Sequence, residues 1–511
     1  MNKLQQRLLT LFNHPIPKHY LFKLLLVTFM IKMLTVLYVS YLWSCSGEVM
    51  LGRIAVSGGD TFSYIGAMDN YIEKGEYYFI KQENENVRKY EKAYAGRMPY
   101  YGIIYYVLRY FLSKELASDS ILFIQVLLES LSIITLAVIS HKVLKTMVAF
   151  WVTFFIFIIS LTISTWSVFL IPESLSLSFS IFFIYYYYCY LSDENRSYYF
   201  LALSGFFIAL LVLLKPYFIL LYLIIGLEFL WHRSKSISLS SISDISKRTI
   251  IVSSFLILFL LPWTIRNYRL LDKFIPLQSG MDAGYGFSSS HIACNNFIKA
   301  WGGNVIYWDF AAAGSYFIPA YSSERTSFPF PDYAFSKSYN LEDVKKVRNK
   351  YIELQNNYSD SLDVQVAKEF DQLTALYKTD RPVQYAIISP LILTKKFLLT
   401  ATSQYLPYHP DSACYKSYHY LIIKSQAALY YVLLLFGLIG LIYIVKKDQK
   451  NFIFLSIPLL LLILFPISLR LIEGRYLINM YPFLVVGTVA TFNYILKRIY
   501  TKKLTKDLMI H

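Results

Sequence analysis

Acidic residues are scarce in this chain, which has 33 Asp and Glu against 49 Lys and Arg in 511 residues, with charged residues at only 16%. Hydrophobic residues make up 56%, aromatic residues 18%, and mean hydropathy is +0.43, so the chain is too apolar for a soluble enzyme. Cysteine is scarcer still. Cys45, Cys189, Cys294 and Cys414 form no CxxC pair, which argues against a zinc site. No HExxH pattern occurs, and no two of His291, His409 and His419 have helical ligand spacing. No metal ligand is therefore assigned and no cofactor is required, although a divalent ion is compatible with the chemistry below. No internal repeat is present, which counts against a transporter built from two symmetrical halves. No small-residue cleavage site follows the first apolar run, which reads as a retained signal anchor with Lys3, Arg7 and Lys18 on its cytoplasmic side.

What the chain has instead is long apolar runs. Windows of about 17–25 residues give ten spans, near 21–44, 120–141, 147–164, 172–191, 197–214, 216–231, 249–265, 424–445, 451–469 and 476–496. The expected connections on one side hold 18 Lys and Arg and the short ones on the other side hold three, which sets both termini in the cytoplasm. The net charge of +16 then follows from attraction to anionic inner-leaflet lipid, and no nucleic-acid partner is implied.

The fold class expected is an all-α polytopic integral membrane protein with about ten transmembrane helices, interfacial helices and two large extracytoplasmic loops. Its parts are an N-terminal membrane module at 1–265 whose outer loop spans 45–119, a large extracytoplasmic region at 266–423, and C-terminal helices with a basic tail at 424–511. The aromatic run ending at Leu112 and the segment Tyr385 to Leu399 are short for spans and read as interfacial helices. Leu341 to Tyr377 has helical periodicity, with Asn340 as its cap. Gln278 to Ser290 is Gly/Ser-rich and reads as an ordered loop. Cys294 and Cys414 share the large outer region, so a bridge between them is open if that compartment is oxidising.

Polar residues at span edges carry the functional reading. Asp60, in Gly58-Gly59-Asp60-Thr61-Phe62-Ser63-Tyr64, lies just beyond the first span; an acid at a membrane rim is a functional candidate, and Asp before Thr-Phe-Ser is equally a helix cap. Glu173 after Pro172 suits either a site acid or the first turn of a helix. Arg97 and Lys215 sit at outer edges, as cations for a phosphate or simple interface residues, and Arg475 can pair with Glu473. Arg266, at the outer end of a span, reads as a phosphate ligand or a snorkelling residue.

Taken in order, several motifs resemble one family. Asp60 with Tyr64, Ala67 and Gly75-Glu76-Tyr77-Tyr78, then Arg97-Met98-Pro99-Tyr100-Tyr101, Pro172-Glu173-Ser174, Pro262-Trp263-Thr264-Ile265-Arg266-Asn267-Tyr268 with Phe274-Ile275-Pro276-Leu277, and Glu473-Gly474-Arg475-Tyr476 with Pro482 are similar to elements of the C-type membrane glycosyltransferases. The branch resembled contains protein O-mannosyltransferases and the lipid A aminoarabinose transferase; a second Pro usual in the Arg97 element is absent here. The resemblance implies transfer of a hexosyl or pentosyl group from a polyprenyl-phosphate donor to an acceptor hydroxyl on lipid, glycan or protein. Asp60 is then the general base and Glu173 an orienting acid; Arg266, Lys215, Arg97 and Arg475 are phosphate ligands; Tyr64 and Tyr268 contact substrate. Single displacement predicts inversion. The composition leans towards a bacterial inner membrane with the site facing outwards. The rival readings are a flippase of lipid-linked sugars and a polysaccharide polymerase or ligase using a glycan-linked lipid.

Overall fold

Runs of Leu, Ile, Phe and Val in lipid can satisfy their backbone groups internally only as helices or closed barrels. The computed structural model, which describes residues 18–80, 92–193, 197–233, 239–278, 288–306, 311–317, 327–399, 414 and 416–508, takes the helical solution. Its α-helices are α1 (Lys18–Cys45), α2 (Thr61–Lys74), α3 (Tyr100–Phe111), α4 (Lys114–Leu144), α5 (Met147–Ile159), α6 (Leu161–Ser167), α7 (Glu173–Ser192), α8 (Tyr198–Leu214) and α9 (Leu220–Arg233). They continue as α10 (Leu239–Leu271), α11 (Ser289–Ala300), α12 (Gly314–Phe317), α13 (Leu341–Asn356), α14 (Asp360–Asp380), α15 (Ser389–Leu399), α16 (Ser417–Lys447), α17 (Phe452–Leu462) and α18 (Tyr481–Leu508). Extended structure among the described residues is limited to the two-residue strands β1 (Phe79–Ile80) and β2 (Lys92–Ala93) and isolated bridges.

Seven helices among the described residues are long and apolar enough to cross a membrane: His19–Cys45, Lys114–Leu144, Glu173–Ser192, Ile242–Leu271, Ser417–Lys447, Phe452–Leu469 and Gly474–Ile499. Three shorter apolar helices, Met147–Ile159, Tyr198–Leu214 and Pro216–Gly226, fall where the remaining three expected spans lie. The protein is an all-α polytopic membrane protein. Phe22, Met30 and Leu34 of α1 and Ile250, Ile257 and Leu261 of α10 are exposed, as side chains facing lipid should be. Between α16 and α18 the backbones touch: a Cβ on Gly437 would lie 2.7 Å from the Leu484 carbonyl, and one on Gly440 would collide with Gly487. Small residues permit this approach, and dispersion contacts over the length of the pair hold it in lipid.

Local chemistry shifts several expected boundaries. The span expected at 147–164 breaks at Ser160, where the Leu161 N–H turns to Gln426 Oε1 at 3.0 Å, leaving α5 and α6 as separate pieces. Pro466 lies in a π-helical segment, Ile463–Leu469, that ends on Arg470 in a left-handed conformation. α10 runs straight through Pro262 to Leu271, so Arg266 lies within the helix rather than just past its end. The bridge left open between Cys294 and Cys414 is not formed: Cys414 is joined to Cys45, with Cα atoms 5.9 Å apart, while Cys294 is a free thiol buried among aromatic side chains of the 266–423 region.

That outer region has a core of its own, in which Phe297, Phe317, Tyr351 and Phe370 pack at ring-centroid distances of 5.8–6.1 Å. Asn340 caps α13 as expected, accepting from Glu342 N at 2.8 Å and Asp343 N at 3.3 Å, while the Asp343 carboxylate accepts from Asn340 N. The main membrane core, by contrast, runs continuously from Ile133 in α4 to Ala490 in α18, so the last helices share one interior with α4 to α9. Most of the Gln278 to Ser290 loop and His409 lie outside the described residues.

Candidate functional site

Two polar side chains on one buried helix, α4, set the loops around the site. Near the start of α4, the Asp119 carboxylate accepts the backbone N–H groups of Arg53, Ile54 and Ala55, each at 3.0 Å. Farther along, Gln125 donates to the carbonyls of Ser167 at 2.9 Å and Phe169 at 3.1 Å, and accepts from Tyr101 Oη at 3.0 Å. The two loops are then stitched together by Val56, whose N–H donates to the Val168 carbonyl at 3.1 Å. Buried backbone polar groups need such partners. The consequence is that Asp60, four residues after Val56, and Glu173, four after Phe169, are held at the same end of the bundle.

Asp60 occupies the N-cap position of α2, yet its side chain makes no capping bond. Gly58 N donates instead to Thr61 Oγ1 at 2.8 Å, and Ser63 Oγ to the Asp60 carbonyl at 2.6 Å. The carboxylate is thereby free to face two guanidinium groups: Arg475 through Nη1, and Arg97 through Nη2 at 3.3 Å. Glu173 Oε1 accepts from Lys215 Nζ at 2.7 Å and lies 3.7 Å from Arg475 Nη1, while Glu473 closes the set on Arg475 Nε. Arg97 also donates through Nε to Ser63 Oγ at 3.3 Å and stands over the Tyr64 ring at 4.7 Å. Three acids and three cations therefore form one network from segments as much as 415 residues apart. Side-chain exposure grades from 22% at Asp60 to 4% at Glu173, so Asp60 marks its accessible side.

The network is not saturated. Glu173 Oε2 and Tyr64 Oη are buried without a hydrogen-bond partner. Burial alone would raise the Asp60 pKa, but the adjacent Arg475 and Arg97, with Lys215 farther off, more than reverse this and hold it below the ordinary carboxylate range. Tyr64 moves the other way, its hydroxyl pushed up chiefly by burial, so it stays a neutral donor. No group of three or more His, Cys, Asp or Glu able to hold a metal ion occurs among the described residues.

Of the eight residues singled out in the sequence, six meet here: Asp60, Glu173, Lys215, Arg97, Arg475 and Tyr64. Arg266 and Tyr268 do not join them. Arg266 donates to the carbonyls of Tyr94 at 2.6 Å and Tyr77 at 2.9 Å and packs over the Tyr77 and Trp263 rings, latching the first outer loop to α10. Trp263 and Asn267 of the same motif bond to the carbonyls of Leu277 and Ile275, fastening the chain as it leaves the helix. Tyr268 is 57% exposed on α10.

One feature went unread in the sequence. Lys32 in α1 and Glu129 in α4 are fully buried and 3.3 Å apart. Lys32 Nζ also donates to the Ser160 carbonyl and Ser164 Oγ, each at 3.0 Å, and Glu129 accepts from Ser164 Oγ at 2.8 Å and Ser167 Oγ at 2.6 Å. Ser167 Oγ is in turn 2.8 Å from Ser174 Oγ, next to Glu173. A lone Lys and a lone Glu inside spans are the signal that identifies such a pair.

No family model matches the chain, and no curated protein matches it. Solved structures do. One is the archaeal oligosaccharyltransferase AglB from Archaeoglobus fulgidus, in complex with an inhibitory peptide and a dolichol-phosphate, with a TM-score of 0.51 and 11% identity over 96% of this chain and 52% of that one. Another is an Archaeoglobus fulgidus oligosaccharyltransferase in the apo form, with a TM-score of 0.50 and 12% identity over the same shares. The fold is shared with these oligosaccharyltransferases. The chain spans about half the length of the solved proteins it matches. At this identity the likeness shows the fold alone and leaves the chemistry to the residues themselves.

Proposed function

We propose that this protein is a membrane glycosyltransferase that moves a sugar from a polyprenyl-phosphate donor to an acceptor hydroxyl. The observation that carries this reading is the convergence of Asp60, Glu173, Lys215, Arg97 and Arg475 in one partly open network at the loop end of a C-type fold. In the reaction, the bond between the anomeric carbon and the donor phosphate breaks, the acceptor oxygen bonds to that carbon from the opposite face, and the acceptor proton passes to Asp60. The configuration inverts, and the lipid phosphate leaves with the negative charge.

Two arginines on Asp60 hold its pKa down, which makes it a weak base in the empty site. An arriving phosphate competes for the same cations. As Arg97, Arg475 or Lys215 turns to phosphate oxygens, Asp60 loses its counter-charges and its basicity rises as the acceptor proton must be removed. The same cations stabilise the leaving phosphate. Glu173 keeps Lys215 and Arg475 in reach, and its unpartnered Oε2 is available to a sugar hydroxyl. Arg266 acts by fixing the Tyr77 and Tyr94 segment, and Tyr268 offers an exposed ring to the donor chain.

The Lys and Arg asymmetry and the Cys45–Cys414 bridge, at the same end as the network, support a site on the oxidising outer face of a bacterial inner membrane. The parts 1–265, 266–423 and 424–511 would then be the module bearing Asp60 and Glu173, an outer region, and the helices delivering Arg475. The test is sugar transfer by purified protein in lipid from a panel of polyprenyl-phosphate sugars to simple alcohols. Wild-type turnover that Asp60→Asn abolishes supports the reading; intact lipid-linked sugar moving between leaflets without any transfer overturns it in favour of a flippase.

A further inference from the structure

A second set of cations lies apart from this network, around the turn that follows α11. Arg470 donates to the carbonyls of Lys299 at 3.0 Å and Tyr385 at 2.7 Å, with its guanidinium 4.0 Å over the Tyr385 ring. Lys378 Nζ stands 5.0 Å from the centre of that ring. Lys396 Nζ donates to the Gly302 carbonyl at 3.0 Å, three residues beyond Lys299. The side chains of Arg470 and Lys378 thus meet at Tyr385, with Lys299 close enough to Arg470 to feel its charge and Lys396 at the Gly302 carbonyl, where α11, α14, α15 and the end of the Phe452–Leu469 span meet. None of them forms an ion pair with an acid among the described residues. The acid at the end of α14, Asp380, accepts instead from Ser338 N at 3.1 Å.

Two neutral groups and a further guanidinium here add donors. Gln384 Nε2, Arg381 Nε and Trp301 Nε1 are buried without hydrogen-bond partners. Burial lowers the pKa of Lys299, with Arg470 adding to it, and burial lowers that of Lys396, as expected for cations removed from water without counter-charge. Carbonyl oxygens offset part of that cost, but an anion would offset far more. Two observations say which anion. Arg470 immediately follows an apolar span, and Val383, Ile387 and Leu391, just beyond Arg381, are exposed apolar side chains that suit the boundary between headgroups and acyl chains.

We propose that Lys299, Lys396, Arg470 and Lys378 form a seat for the phosphate of an anionic membrane phospholipid, which fastens the outer region to the bilayer. This seat rests on no assumption about the reaction at Asp60. The probe is purified full-length protein in detergent, titrated separately with phosphatidylglycerol, phosphatidylcholine, polyprenyl phosphate and inorganic phosphate, with the thermal midpoint and the lipids retained in native mass spectra as readouts. Phosphatidylglycerol should raise the midpoint saturably and leave bound lipid, and phosphatidylcholine should do much less. Lys299→Met makes the cleaner variant, since no hydrogen bond from its ammonium holds the fold, and Lys378→Met, on the surface of α14, is the second. Each should weaken the phosphatidylglycerol response several-fold while leaving the lipid-free midpoint unchanged or higher. A variant response equal to wild type overturns the seat. So does equal stabilisation by phosphatidylcholine or by inorganic phosphate, and a response to polyprenyl phosphate alone would assign these cations to the carrier lipid instead.

Discussion

Two of the charge networks among the described residues, those around Glu129 and Asp60, differ in how well they are closed. Lys32 and Glu129 are fully buried, and both Glu129 oxygens are occupied by Lys32, Ser164 and Ser167. The network around Asp60 is partly open, holds two arginines on one carboxylate, and leaves Glu173 Oε2 and Tyr64 Oη without partners. A closed network inside the membrane has nothing left to offer a ligand, so its role is to fix α1 against α4 and the α5–α6 break. An open one at the loop end retains reactive capacity. Ser167 and Ser174 join the two, which lets the closed network hold the start of α7 and therefore Glu173.

Breaking the closed network should give the largest change in stability. Lys32→Met leaves Glu129 as an uncompensated buried charge and should cost about 3–5 kcal/mol, seen as a lower thermal midpoint and poor yield. Adding Glu129→Leu should recover most of that loss, since an apolar pair of similar volume is often neutral or better. In the open network, Lys215→Met should lower transfer by about 10²–10³-fold, roughly the weight of one charge-stabilising donor. It should lower the midpoint by less than Lys32→Met does, because Arg475 remains 3.7 Å from Glu173.

The pH dependence sharpens the same contrast. Asp60 has a lowered pKa in the folded protein, so its contribution to stability is present above the ordinary carboxylate range and is lost only as pH falls through the lowered value. Thermal midpoints measured down from neutral should show this loss only below about pH 4, and Asp60→Asn should remove it. The smallest effect is expected farthest from either network. Asn340→Ala removes the α13 cap and should cost about 1 kcal/mol in the outer region, with transfer per folded molecule unchanged.

Much of the architecture was legible because apolar length and the placement of Lys and Arg both follow from the bilayer. The open network was legible for a related reason: Asp60, Glu173, Lys215, Arg97 and Arg475 stand at span edges, where a charge has few structural excuses. Arg266 stands outside the network because carbonyls of the Tyr77 and Tyr94 segment hold its guanidinium, and Tyr268 lies exposed on α10; in isolation a guanidinium bound by carbonyls reads like one bound by phosphate. Lys32 and Glu129 were overlooked as isolated charges in apolar runs, 97 residues apart, whose pairing depends on how α1 packs on α4. The disulfide stayed open in the sequence for a similar reason, since Cys294 is buried on its own helix while Cys45 is carried to Cys414 by the end of α1.

The division of labour between the networks is tested most directly by initial rates of sugar transfer from a polyprenyl-phosphate donor, normalised to folded protein, for wild type, Asp60→Asn and the Lys32→Met/Glu129→Leu double variant. With Asp60 as the base, the rate of Asp60→Asn per folded molecule falls by about 10²–10⁴-fold, with a midpoint lowered only by the lost pairing to Arg475 and Arg97, while the double variant retains most of the rate. An active Asp60→Asn, or a folded double variant as inactive as Asp60→Asn is expected to be, would contradict it.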